Sequence, residues 1–100
     1  MQISNVSFTG IKYNKTVPQF YRSAISKNNN ITEFAQKHNI NISLREAHCE
    51  SDNDTWKILK FKISKKGFFN RLNPFYRTIV SSKNSDDEIL KSIKDFDLNI

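Results

Sequence analysis

NINISLREAHCESDNDTWKILKFKIS, residues Asn39–Ser64, decides the fold, because apolar residues recur at every second position on both sides of an acidic turn. Ile40, Ile42 and Leu44 alternate with Asn41, Ser43 and Arg45, and beyond Glu50–Asp54 the residues Leu59, Phe61 and Ile63 alternate with Ile58, Lys60 and Lys62. A period of two puts successive side chains on opposite faces of a strand, so the stretch predicts two strands with one face on a core and a basic face in water. The second strand is expected over Trp56–Lys65.

Reading outward toward the C-terminus, Gly67 ends that strand and FFNRLNP forms a loop. FYRTIVSS, Phe75–Ser82, reads as a third strand, being dominated by aromatic and β-branched residues. Ser85, Asp86, Asp87 and Glu88 spell a capping box, with carboxylates at the positive end of a helix dipole. Ile89, Leu90, Ile93 and Phe96 supply that helix with an apolar stripe.

Toward the N-terminus, Val17, Phe20, Tyr21, Ala24 and Ile25 follow helical spacing after a start at Thr16 and Pro18. Asn30 and Glu33 resemble a second capping box, and Ile31, Phe34, Ala35 and His38 resume the stripe; one interrupted helix or two nearly collinear ones both satisfy this pattern. SFTGIKY, Ser7–Tyr13, reads as a short strand or extended arm, and residues 1–6 as an extended or disordered arm. The expected fold is α+β, a two-layer sandwich in the order β-α-β-β-β-α within a single domain, residues 1–100. A three- to four-stranded, mainly antiparallel sheet carries the N-terminal helical segment and the C-terminal helix on one face.

The helix, three strands and helix over about residues 17–97 resemble, in topology, the arrangement of the double-stranded RNA-binding domain. In that family the final helix opens with lysines that meet phosphate. Here it opens with Ser85-Asp86-Asp87-Glu88, so the likeness stops at topology and implies no membership.

The 100 residues carry a formal charge of +6, which favours a polyanionic partner. The chain is rich in Ile, Asn and Lys, however, a mixture that A/T-rich codons produce whatever the function, and only Arg22, Arg45, Arg71 and Arg77 are arginines among 16 basic side chains. One cysteine, Cys49, excludes an internal disulfide and a multi-cysteine zinc site, which fits a reducing compartment. MQISNVSFTG has neither a basic n-region nor an apolar h-region, and no window approaches a membrane span. A cytoplasmic address is expected, with non-classical secretion from a polar N-terminus as the other option.

Catalytic chemistry finds little support. His48 and Cys49 are strand neighbours that point apart, and His38 reads as a helix-end residue. Glu46, Glu50, Asp52 and Asp54 miss the spacing of a calcium loop. Glycine stands only at positions 10 and 67, too few for a phosphate-cradling loop. No enzyme activity, metal or small-molecule cofactor is expected.

The functional expectation rests on the wet sheet face. Arg45, Trp56, Ile58, Lys60 and Lys62, with Lys65, Lys66, Phe69, Arg71 and Arg77, form the candidate surface, to which Phe75 and Ile79 are expected to add apolar groups. Rings beside cations suit a protein partner or self-association. The alternative is single-stranded DNA or RNA, held by the same basic residues and stacked on the rings. A purely structural account competes with both: Trp56 caps the sheet edge, lysines solubilise a strand, and Phe68, Phe69 and Leu72 fold back as a core lid, one phenylalanine buried and the other exposed.

Overall fold

The computed structural model describes residues 10–51, 54–65 and 74–98. The elements are β1 (Ile11–Tyr13), α1 (Gln19–Ser26), α2 (Asn29–Phe34), β2 (His38–Cys49), β3 (Asp54–Lys65), β4 (Phe75–Ser81) and α3 (Asp86–Lys94). The expected order and α+β sandwich are thus what the chain forms, and the helical segment is two helices rather than one. The four strands lie in the order β1-β2-β3-β4. β2, β3 and β4 are antiparallel, while β1 joins β2 in parallel, which makes the sheet mixed. Gly10 precedes β1 at φ 71°, a left-handed conformation that costs glycine little, and its carbonyl accepts from the Ile40 amide at 2.8 Å.

The core is the inner face of the sheet closed by the helices. Ile40, Ile42, Leu59, Phe61 and Ile63 are buried from the strands, with Val17, Tyr21, Ile25 and Ile31 from the N-terminal segment and Ile89, Ile93 and Leu98 from the C-terminal one. Each fully buried Ile, Leu or Phe contributes ~1.5–3 kcal/mol relative to an exposed side chain. Phe61 stacks on Phe96 at 4.8 Å between ring centroids, beyond the end of α3.

Several local expectations differ from the structure. Phe20, assigned to the core stripe, is 45% exposed, because the buried arc of α1 is narrow and centred on Tyr21 and Ile25. The N-cap of α2 is Asn28, not Asn30: its Oδ1 accepts from the Ile31 amide at 3.1 Å. The buried Asn28 also donates Nδ2 to the carbonyls of Ile93 (2.6 Å) and Phe96 (3.0 Å), so one side chain closes the start of α2 and the end of α3. His38 begins β2 instead of ending a helix, and its ring stacks on Phe34 at 4.0 Å.

At α3 the expected cap forms in modified shape. Ser85 Oγ accepts from the Glu88 amide, but the Glu88 carboxylate accepts from Ser81 Oγ at 2.8 Å, and Ser81 Oγ accepts from the Ser85 amide at 3.0 Å. The buried Ser81 hydroxyl relays what a direct return bond would have made. The expected arm at residues 1–6 and the lid residues Phe68, Phe69 and Leu72 lie outside the described residues.

Candidate binding face

Strand register sets out the outer face as rows. Lys12 lies opposite Asn41, Asn41 opposite Lys62, and Lys62 opposite Tyr76. The next row runs Ser43, Lys60, Thr78, and the one after it Arg45, Ile58, Val80. Ala47 and Trp56 follow where the β2–β3 hairpin extends beyond β4. Rows are ~7 Å apart and neighbouring strands ~5 Å apart.

Five expected site residues therefore share one face: Arg45, Trp56, Ile58, Lys60 and Lys62. Two do not. Lys65 and Arg77 have the parity of the core face, Lys65 opposite His38 and Arg77 opposite Phe61. Phe75 and Ile79 follow Arg77 to that side; Ile79 is only 6% exposed, and the Arg77 guanidinium sits 5.6 Å from the Phe75 ring. The physical reason is the pairing of Ile63 with Phe75, which turns the odd-numbered residues of β4 inward. Lys66, Phe69 and Arg71 lie outside the described residues.

In their place the face gains Lys12, Tyr76 and Val80. Tyr76 and Val80 are 45% and 48% exposed, and Trp56 is 38% exposed. The signal for them was the alternate parity of FYRTIV, in which both registers offer an aromatic and a β-branched residue.

The face has two chemically distinct ends. At one, Lys12, Asn41, Ser43, Lys60, Lys62 and Tyr76 line a hollow of about 460 Å³. Lys60 Nζ lies 4.4 Å from the Tyr76 centroid, a cation–π contact that holds the ammonium in the hollow. No carboxylate stands in these rows. At the other end Ile58 and Val80 are direct cross-strand partners, Trp56 is the next outward residue of β3, and Trp56 and Val80 share a hollow with Glu88 and Lys91 of α3. Arg45 shares the row of Ile58 and Val80.

The core side holds an ion pair that joins three elements. Asp86, in the first turn of α3, accepts from both Tyr21 Oη and Lys57 Nζ at 2.5 Å, tying α1, β3 and α3 together. The Lys57 hydrogen bond, followed by that from Tyr21, holds the Asp86 carboxyl below its usual range. Burial first, and then the Asp86 carboxylate, pushes the Tyr21 phenol well up. Tyr13 is raised by burial and partly offset by Arg22, whose guanidinium lies 5.2 Å from its ring. With its acid and base already paired within the fold, this cluster serves as a tie between layers.

His48 Nδ1 meets Thr55 Oγ1 at 3.3 Å, and among the described residues no group of His, Cys, Asp and Glu is placed to hold a metal ion. Among the same residues no helix is long and apolar enough to cross a membrane. No protein-family model matches the chain, and no significant match is found among curated proteins or solved structures, so the reading of the site rests on its own geometry.

Proposed function

We propose that the chain is a non-catalytic binding domain that docks a partner protein on the Trp56–Ile58–Val80 end of its open sheet face. The observation that carries this is the apolar cluster: half-buried Ile58 paired with the exposed Val80, with the 38% exposed Trp56 alongside. Large apolar groups left together in water on a small sheet mark an interaction site, and Trp at the centre of such a site is the residue type that most often anchors it. Arg45 beside Ile58, and Lys91 and Glu88 of α3, place charges of both signs at the margin, where rim charges set encounter and register.

Trp56 is the only tryptophan, so its emission reports the site directly. The experiment is affinity capture with the wild type and with Val80→Asp, identification of the differential partner, and titration of that purified partner against Trp56 fluorescence. Blue-shifted emission on binding, with at least ~10-fold weaker affinity for Val80→Asp, is the expected result. Equal capture and equal affinity by both proteins rejects the reading.

A further inference from the structure

The other end of the same face is chemically unlike a protein-docking patch. Lys12 and Lys62 flank Asn41 in one row, Lys60 and Ser43 adjoin in the next, and Tyr76 closes the hollow they line. Within these rows the cations have no carboxylate to neutralise them. Mutual repulsion would spread them if they were free, but Lys60 is fixed against the Tyr76 ring and the strand register fixes the remaining backbone positions.

We infer that this hollow binds the phosphodiester backbone of single-stranded nucleic acid. Three features select that ligand. Lys12 on β1 and Lys60 and Lys62 on β3 are spread over two rows and across the width of β2, which suits a string of phosphates better than one small anion. Asn41 and Ser43 lie between the cations and offer neutral hydrogen bonds to sugar and phosphate oxygens. Tyr76 keeps 45% of its surface in water even with Lys60 against it, so a base has a ring on which to stack. A concave site also discriminates against a lipid surface, which meets protruding groups, and the hollow lies on the face of a four-stranded sheet, which is too broad to enter a duplex groove.

This site is separate from the apolar end, and its failure leaves the partner-docking reading intact. The test is fluorescence anisotropy with labelled oligo-dT and oligo-U against the full chain across a range of salt concentrations. Binding through these lysines gives a slope of log affinity against log salt of about −2, at ~0.7 per phosphate engaged. Each of Lys12→Gln and Lys62→Gln lowers the slope by about 0.7, and the combined Lys12→Gln/Lys60→Gln/Lys62→Gln variant removes binding while keeping the wild-type melting temperature. Trp56→Ala retains binding.

The control variant Lys27→Gln/Lys83→Gln/Lys94→Gln has the same net charge as the triple variant but leaves the hollow untouched, and it should keep the wild-type slope. Absence of salt-dependent binding at low salt overturns the inference. So does survival of binding in the hollow variant, or equal loss in the control, which would make net charge the cause. Equal or tighter binding to anionic lipid vesicles that compete with the oligonucleotides would also overturn it.

Discussion

Two ends of one sheet face, joined along β3 and β4, present opposite chemistry within a few residues. Around Lys12, Asn41, Lys62 and Tyr76 the face is cationic and hollow; around Ile58, Val80 and Trp56 it is apolar. The overall charge of +6 says nothing of this division. Placement does: codon usage explains many lysines, but it does not explain why the rows holding Lys12, Lys60 and Lys62 contain no carboxylate while Glu46, Asp86 and Glu88 stand elsewhere. The lesson is that charge becomes informative only once register assigns it to a face.

The most severe way to break the comparison is to remove the support that both ends share. Phe61 is fully buried beneath β3, between the registers of Ile42 and Arg77. Phe61→Ala should cost ~3–5 kcal/mol, a large part of a margin of ~5–15 kcal/mol, and should abolish oligonucleotide and partner binding together. Chemical denaturation with both binding assays checks this; loss at one end alone would show the two ends to be held independently.

A smaller loss is expected at Asn28, in the helical layer on the other side of the sheet. Asn28→Ala uncaps α2 and leaves the Ile93 and Phe96 carbonyls without their donor, costing ~2–3 kcal/mol. Urea melts measure the loss, and binding at temperatures well below the melt should be unchanged at both ends. A change in only the cationic or only the apolar end would place the helical layer inside that site.

Acid should act on the layer beneath the face before it acts on the face itself. Asp86 has a folded-state pKa below its unfolded one, because Lys57 and Tyr21 donate to the carboxylate. Its contribution is therefore fully present above the unfolded value of ~3.9 and is lost as pH falls through the depressed folded value. Asp86→Asn should flatten the acid limb of the stability profile. For Tyr21 the folded value is raised, so its contribution holds below ~10 and is lost as pH rises beyond that. Thermal melts across pH test both limbs; an unchanged acid limb in Asp86→Asn would assign acid sensitivity to other carboxylates.

The smallest stability effects, and the sharpest separation, belong to the face. Trp56→Ala and Lys62→Gln should each shift stability by less than ~1 kcal/mol, since both side chains are exposed. Trp56→Ala should weaken only protein docking and Lys62→Gln only oligonucleotide binding. If either substitution weakens both, the two ends are one site.

Much of this arrangement was readable from the chain. Alternation in β2 and β3 is clear because Ile, Leu and Phe on one parity oppose Asn, Ser, Arg and Lys on the other, with Trp56 and Ile58 as the exceptions. β4 was not readable in the same way: Phe75, Arg77 and Ile79 are as apolar a set as Tyr76, Thr78 and Val80, so only pairing with Ile63 and Leu59 chooses between them. That pairing depends on the connection between strands, which local pattern does not encode. Asn28, Asn29 and Asn30 present a similar degeneracy. Each is a competent cap, and tertiary contact with the end of α3 selects Asn28. Phe20 was misplaced because helical spacing marks a stripe but not its width, and α1 buries fully only Tyr21 and Ile25.

The double role of Asn28 has a dynamic consequence. A helix end normally frays by itself, one turn at a time, because its cap belongs to it alone. Here the last turn of α3 cannot peel away without withdrawing acceptors from the same amide that positions the first turn of α2. Opening at either end is thereby coupled to the other, and the two helices, 65 residues apart at this contact, act as one cooperative unit in native-state fluctuations. The amides of Ile31 and of the final turn of α3 should therefore exchange with solvent through a shared opening, at matched rates in native-state hydrogen exchange.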